Sequence, residues 1–254
     1  MKPALITTSP SRPESWQDLP VGEHMKALIE SEVEDFSRKF FGYHLVRLGN
    51  LSSEIELKSC PIKHQVNITP HSLNHSNIVA KPSSLPITEN SVDAFILANE
   101  LDFSRDPHQV LREVDRAIIP NGYVVITGFN PFSMSGLCKY LPINKASVLH
   151  EARYFSCARV KDWLQLLGFE IVDVKHLMFN ELFLNRKCKP SSKVNLWCQQ
   201  YLSAFTTMYL IVARKREIPL SMIKPKWKAS KFSTVGVSVS RGAMQVETPL
   251  NREK

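Results

Sequence analysis

The chain has 254 residues, of which 43% are hydrophobic and 22% charged, and its formal net charge is +8. This composition is typical of a globular chain that is long enough to bury a substantial core, and it excludes collagen-like and low-complexity proteins. The apolar runs are far shorter than the roughly 20 residues that a membrane-spanning helix needs, so no membrane span is expected.

The N-terminus indicates the cellular compartment of the protein, and the cysteines indicate whether it binds a metal. Residues 1–18 contain no apolar stretch like the middle of a signal peptide, which predicts a cytoplasmic protein. The five cysteines are scattered and never form C-x-x-C, a pattern that favours neither a disulfide framework nor a zinc site. We assign no metal from the sequence.

The positive charge is concentrated at the C-terminus. Ten basic and three acidic residues lie within 214–254. Trp227 and Phe232 stand among the lysines, and basic residues interleaved with aromatic ones can contact phosphates and stack on bases. Tails of this charge are usually solvated and disordered. We therefore predict a basic, disordered tail over 216–254, with nucleic acid as a candidate partner.

The N-terminal part divides into a leader and a helix. Residues 1–21 contain four prolines and no apolar period, which predicts a mobile leader. From Gly22 the apolar residues recur at helical spacing and predict an amphipathic helix that packs on a core. Those residues are Met25, Leu28, Ile29, Val33, Phe36 and Phe40.

Short apolar runs predict the strands of a sheet. Residues 43–48, 63–68 and 77–80 are interpreted as strands, and the nearly all-apolar run Val92–Ala98 is typical of a central parallel strand. Asp106, Pro107 and Gln109 form the start of a helix, because they supply an N-cap, a first-turn proline and a capping box. Pro120-Asn121-Gly122 predicts a turn before the next strand, 123–127.

The remaining elements complete the predicted fold. Residues 160–167 predict a helix that Gly168 ends, 170–177 a strand, 197–203 a short helix and 206–214 an antiparallel last strand. Strand, helix and strand in this order form right-handed crossovers. We therefore predict one α/β domain over 22–215, a Rossmann-like, doubly wound and mostly parallel sheet with an antiparallel last strand, which would bind ligands at the carboxyl ends of its strands.

Two adjoining segments carry a family resemblance. Residues 85–95 read LPITENSVDAF, and residues 106–126 read DPHQVLREVDRAIIPNGYVVI. Together they resemble the centre of a class I S-adenosylmethionine (SAM)-dependent methyltransferase, in which such segments enter the fourth strand and lead through a helix to the fifth. The segment YLIVARK over 209–215 is similar to the last strand of that family.

The resemblance implies where cofactor and acceptor would lie. It places SAM on residues of the loop after the first strand, of the turn after the third and of the end of the fourth, namely Gly49, Asn50, Leu51, Lys81, Ser84, Asn99 and Leu101. It places the acceptor near Asp102, Phe103, Phe129, Asn130 and Phe132. A hydroxyl or amine acceptor must lose a proton, and the candidate bases are Asp102, Glu100 and His108.

The sequence departs from the family pattern at the cofactor. Gly49 stands alone where the family has G-x-G-x-G, no acid follows the second strand, and Lys81 stands near the place of another expected acid. Three functions therefore stay open: SAM-dependent methyl transfer to an unidentified acceptor, a catalytically inactive binding or regulatory module of the same fold, and a nucleic-acid-associated protein that uses its basic tail.

Overall fold

A computed structural model describes residues 10–133, 148–177 and 206–216, all of which fall within one compact unit of the chain, Met1–Ile218. The described strands form one sheet in the order β3-β2-β1-β4-β5-β7-β6. Their bounds are β1 His44–Leu48, β2 His64–Thr69, β3 Ile78–Val79, β4 Val92–Ala98, β5 Ile118–Phe129, β6 Phe169–Leu177 and β7 Met208–Lys215. The α-helices are α1 Gly22–Ser37, α2 Asn50–Ser53, α3 Pro107–Ala117, α4 Val148–Glu151 and α5 Cys157–Leu166.

The pairing of the strands confirms the predicted fold class. Strands β3, β2, β1, β4 and β5 run parallel, and β7 lies antiparallel between β5 and β6. From β1 the chain proceeds outward to β2 and β3, and it then returns to β4 on the other side of β1. The order of the strands thus reverses between β1 and β4, and this reversal is where a doubly wound sheet opens a ligand crevice.

The central pair of strands lies as the sequence predicts, with one difference at its start. Strands β4 and β5 are parallel neighbours, with Phe95 opposite Val124. Strand β5 begins at Ile118, earlier than the predicted 123, because Ile118 already pairs with Val92. The register shifts between Val92 and Ala94, so the predicted turn at Pro120-Asn121-Gly122 lies inside the strand bounds as an irregularity.

Helices cover both faces of the sheet. Helix α1 packs its apolar stripe on one face, and α3 and α5 pack on the other. Helix α3 begins with the predicted N-cap and proline: Pro107 stands at its first position, and the Asp106 carboxylate accepts a hydrogen bond from the Gln109 N–H at 3.1 Å. The predicted capping box is incomplete, because the Gln109 side-chain oxygen accepts from Arg112 at 3.0 Å instead. The two apolar layers hold the carboxyl ends of β1, β2 and β4 at one edge of the sheet.

The described part of the predicted leader, residues 10–21, contacts the core. Trp16 is 0% exposed, and its indole N–H donates to the Leu51 carbonyl at 2.9 Å. Trp16 opens a 3-10 helix, Trp16–Asp18, which Ser15 caps. An apolar anchor, Trp16, therefore joins residues 10–21 to the core beneath α1, and the mobility of a leader over 1–21 stays a prediction.

Other predictions concern parts that are not described. The predicted helix over 197–203 and the basic tail beyond residue 216 lie outside the described residues, so the domain limits 22–215 and 216–254 stay predictions. No helix in the described part of the chain has the length and hydropathy needed to cross a membrane. Within the same residues, no three histidine, cysteine or acidic side chains gather at metal-binding distance.

Candidate functional site between strands β1 and β4

Gly49 forms the turn between β1 and α2. Its φ of 100° lies in the region that favours glycine, and its N–H donates to the Ile68 carbonyl at 2.8 Å. A Cβ built on this residue would lie 2.2 Å from Glu100 Oε2. The single glycine of this loop is therefore required for two reasons, the backbone conformation and the close approach of a carboxylate from the end of β4.

The next two residues of the loop contact the N-terminal segment. The Asn50 side-chain N–H donates to the Pro13 carbonyl at 3.0 Å, and the Leu51 carbonyl accepts from Trp16. Asn50 is buried, yet its Oδ1 accepts no hydrogen bond from any residue that the structure describes. A buried acceptor without a donor is unfavourable, so this oxygen marks a place where a ligand donor or a water molecule would be stabilising.

Glu100 follows β4 and forms an ion pair with Arg12. The Glu100 side chain is 4% exposed, and the Arg12 guanidinium donates to its Oε1. Burial raises the pKa of the Glu100 carboxyl, and the charge and hydrogen bond of Arg12 act in the opposite direction. A buried carboxylate needs a cation beside it to stay ionised, and here the cation comes from the N-terminal segment.

The space between the Arg12–Glu100 pair and the β1 loop is almost filled by protein atoms. Arg12 and Pro13 lie against Asn50, Leu51, Asn99 and Glu100, and the cavity left there measures about 10 Å³. That volume holds about one water molecule. We call this position, between Gly49–Leu51 and Asn99–Glu100, the seat.

A much larger groove lies beside the seat, along the carboxyl ends of β1, β2 and β3. Its volume of about 790 Å³ is in the range of small-molecule sites. The predicted residues Asn50 and Lys81 both line it, whereas Ser84 is exposed and its neighbour Ser83 lines the groove instead. Residues of the N-terminal segment form another part of the wall, namely Pro10, Ser11, Arg12 and Glu14.

Asp102 and Asn99 form a buried network that ties β4 to β5. Asp102 is fully buried, and its Oδ2 accepts from the Asn99 side chain at 3.0 Å and from the Phe129 N–H at 2.9 Å. Thr127 donates to Asn99 Oδ1 at 2.9 Å. Leu101, also predicted at the cofactor, is a buried core residue. This network holds the ends of the two strands together and presents no carboxylate to the groove.

His108 lies on the first turn of α3 and faces α5. Its ring is half-buried and lies against Trp163 at a tilt of 55°, with 4.2 Å between the ring centroids. Burial lowers the pKa of His108, while Asp106 raises it and Arg112 and Arg159 lower it. The imidazole is consequently neutral near pH 7 and can accept a proton.

The predicted acceptor residues lie at the ends of β4 and β5. Phe103 and Phe129 are buried and meet edge to face at 6.5 Å, and Asn130 donates to the Thr206 carbonyl at 2.9 Å. Phe132 is instead 60% exposed. The structure thus brings Phe103 and Phe129 together as a buried aromatic pair, whereas the ring of Phe132 is exposed.

Sequence reasoning missed the contribution of the N-terminal segment. Arg12, Pro13 and Glu14 stand in a proline-rich stretch that has no period, and only a tryptophan among polar residues, Trp16, marks it as a packed segment. Arg12 meets Glu100 across 88 positions of the chain, so no local pattern connects the two residues.

Comparison with known proteins places this chain in a family. The model of the methyltransferase domain family matches residues 54–126. The uncharacterized protein YafS of Escherichia coli K12 is 37% identical over 231 residues, which are 91% of this chain and 92% of YafS. The chain therefore belongs to the class I SAM-dependent methyltransferase family.

Solved structures agree with the fold. A SAM-dependent methyltransferase from Archaeoglobus fulgidus superposes with a TM-score of 0.51 at 14% identity, over 75% of this chain and 94% of that one. A candidate methyltransferase from Bacillus halodurans superposes with a TM-score of 0.50 at 11% identity, over 74% and 99% of the two chains. At these identities the likeness concerns the fold alone.

The cofactor of this family is SAM, and the residues of the site fit it in composition. Gly49 provides the close turn, Glu100 a buried carboxylate for a cationic ligand, and Asn50 Oδ1 an acceptor without a donor among the described residues. The end of β2 departs from the family pattern, because Thr69 and Pro70 stand there and supply no carboxylate for ribose hydroxyls. The seat itself is filled by Arg12 and Pro13.

Proposed function

We propose that this protein transfers the methyl group of SAM to an acceptor bound in the groove at the carboxyl ends of β1, β2 and β3. The observation that carries the proposal is the position of the groove. It adjoins the point where the strand order reverses, and it includes Asn50 beside the required glycine, Gly49.

When bound, SAM would supply a methyl group on a positively charged sulfonium. The task of the chain is then to bind and orient the two reactants, because displacement at the methyl carbon requires an in-line arrangement. We assign contacts with the cofactor to Gly49, Asn50, Leu51, Asn99 and Glu100, and to Lys81, which lines the groove. Ser84 and Leu101 would not contact the cofactor themselves, and their neighbours Ser83 and Glu100 line the groove and the seat instead.

Proton removal from an amine or hydroxyl acceptor falls to His108 in this proposal. Of the three candidate bases, Asp102 and Glu100 are buried in hydrogen bonds, whereas His108 is partly exposed and neutral near pH 7. Its tilted contact with Trp163 would have to loosen for the ring to reach an acceptor in the groove.

The proposal is tested first by binding. Titration calorimetry of the full chain with SAM and with S-adenosylhomocysteine should give saturable binding, and both ligands should raise the melting temperature. Radiolabelled SAM incubated with fractionated small molecules, RNA and protein then identifies the acceptor by transfer of label. His108→Gln should reduce transfer about 100-fold, whereas His75→Gln, at an exposed histidine after β2, should leave it unchanged.

A second function, a catalytically inactive module of the same fold, is favoured by the missing carboxylate after β2 and by the filled seat. This alternative predicts no transfer of label to any fraction and no change in melting temperature at millimolar SAM. A nucleic-acid partner for the tail over 216–254 also stays a prediction, tested by salt-dependent RNA or DNA binding that deletion of 217–254 removes.

A further inference from the structure

Residues 10–14 form a strap across the seat, and polar contacts hold it there. The Ser11 N–H donates to Glu151 Oε2 at 2.7 Å, the Pro13 carbonyl accepts from Asn50 at 3.0 Å, and Arg12 pairs with Glu100. Pro13 is the one buried residue of this strap, while Ser11 and Glu14 are exposed. The strap is therefore held mainly by exchangeable hydrogen bonds and one ion pair.

The anchor of the segment is separate from the strap. Trp16 is fully buried in the core with α1, and its indole bonds to the Leu51 carbonyl at 2.9 Å. Ser15 and Asp18 cap each other in the short helix that Trp16 opens, and the Asp18 carboxylate also accepts from the Glu14 N–H at 2.8 Å. Residues 10–13 of the strap can consequently leave the seat while Glu14 and Trp16 remain in place.

Arg12 gives Glu100 a positive charge and a hydrogen-bond donor, as a cationic ligand would. The pair consists of a buried carboxylate and N–H donors that carry positive charge, at the loop of the required glycine. The methionine end of SAM also carries N–H donors on a positive charge, in its ammonium group. Since about 10 Å³ remains beside Arg12 and Pro13, the two cations cannot occupy the seat together.

We propose that the strap is a displaceable closure of the cofactor site, in which the Arg12 guanidinium takes the position on Glu100 that the ammonium group of SAM takes when it binds. This inference rests on the proposed function. Exchange of one cation for another leaves the buried Glu100 carboxylate paired in both states, which avoids the penalty of an isolated buried charge.

The inference is tested by titration calorimetry of the full chain with SAM. Arg12→Gln removes the competing charge, and it should tighten binding about tenfold, which corresponds to about 1.4 kcal/mol. Glu100→Gln removes the carboxylate that would bind the ammonium group of SAM, and it should weaken SAM binding by a similar factor. Arg38→Gln, at an exposed arginine on the C-terminal side of α1, is the matched control and should leave the affinity unchanged.

Two further measurements separate displacement from a merely structural effect. In the Glu100→Gln background, Arg12→Gln should no longer tighten binding, because the two residues act through one contact. Amide hydrogen exchange at Ser11 should accelerate when SAM is added, whereas the Trp16–Asp18 amides should keep their rates. 5′-Methylthioadenosine lacks the ammonium group, so its affinity should be insensitive to Glu100→Gln.

Each outcome decides something. Equal SAM affinity of the wild type and Arg12→Gln, or weaker binding by Arg12→Gln, overturns the displaceable strap and leaves the proposed function standing. Binding by Arg12→Gln together with undetectable binding by the wild type supports the strap in its strongest form. If neither the wild type nor any variant binds SAM, both the strap and the proposed function are wrong.

Discussion

Glu100 places a carboxylate oxygen against Gly49, only 2.2 Å from the position that a Cβ on residue 49 would take. A side chain at residue 49 would therefore have to displace the Glu100 carboxylate, so the turn after β1 and the end of β4 are in close contact. Because Gly49 follows β1 and Glu100 follows its parallel neighbour β4, this contact lies at the edge of the sheet where the proposed cofactor would bind.

Substitution of Gly49 by alanine should affect both stability and binding. Alanine strains the backbone at a φ of 100°, which costs about 1 to 3 kcal/mol of unfolding free energy, and its Cβ displaces Glu100. Chemical denaturation measures the first effect and calorimetry with SAM the second. Gly168→Ala is the control, since its φ is 87° but its Cβ would meet Arg216 at an ordinary 3.8 Å. Equal SAM affinity of the two variants would contradict the role of Gly49.

Truncation of Trp16 should destabilise the protein although the residue stands near the N-terminus. Trp16→Ala removes a fully buried indole and its hydrogen bond to Leu51, and the expected loss is about 3 to 5 kcal/mol. Phe41→Ala, at a ring that is 91% exposed, should change stability by less than about 0.5 kcal/mol. Urea denaturation of both variants provides the comparison, and similar midpoints would show that the segment is not part of the folded domain.

The sequence predicts the sheet well because its signals are local. The apolar run Val92–Ala98 and the cap and proline that open α3 each act within a few residues, and the structure places both as predicted. The position of Trp16 could not be predicted in this way. Its neighbours are polar or proline, so no period accompanies it, and its burial depends on a surface formed by α1 and Leu51.

The candidate site was predicted less completely than the sheet. The resemblance implied Gly49 and Asn50, which the structure brings together with Glu100. Arg12 is joined to Glu100 only by the tertiary fold, which no local pattern reports. Asp102 is a candidate base because the resemblance places it near the acceptor, but its carboxylate is buried and accepts a hydrogen bond from the Phe129 N–H.

Asp102 should therefore act on stability more than on chemistry. Asp102→Ala removes the acceptor of the Asn99 and Phe129 N–H groups, and it should cost about 3 kcal/mol, since hydrogen bonds to charged groups contribute about 1.5 to 3 kcal/mol each. Asp102→Asn keeps an oxygen in place and should cost less, with methyl transfer retained. Thermal unfolding and label transfer are measured on both variants. A 100-fold loss of transfer in Asp102→Asn at unchanged stability would restore Asp102 as the base.

Glu113 should make the stability depend on pH. Its Oε2 accepts from the Leu85 N–H at 3.0 Å and from the Arg116 guanidinium at 2.9 Å. The hydrogen bond from Arg116 is the largest of the influences that lower the pKa of Glu113, and burial opposes it. A lowered pKa in the folded state means that the stabilisation is complete above the ordinary pKa of glutamate and is lost as the pH falls below it.

Glu113→Gln should consequently lower the unfolding free energy at pH 7 by about 1 to 2 kcal/mol. It should also make the fall of the unfolding free energy between about pH 5 and pH 3 less steep than in the wild type. Urea denaturation across this pH range measures both quantities. Glu23→Gln, at an exposed glutamate in the first turn of α1, should follow the wild-type curve. A Glu113→Gln curve that stays parallel to the wild type down to pH 3 would show that the Glu113 contacts with Leu85 and Arg116 do not stabilise the ionised carboxylate.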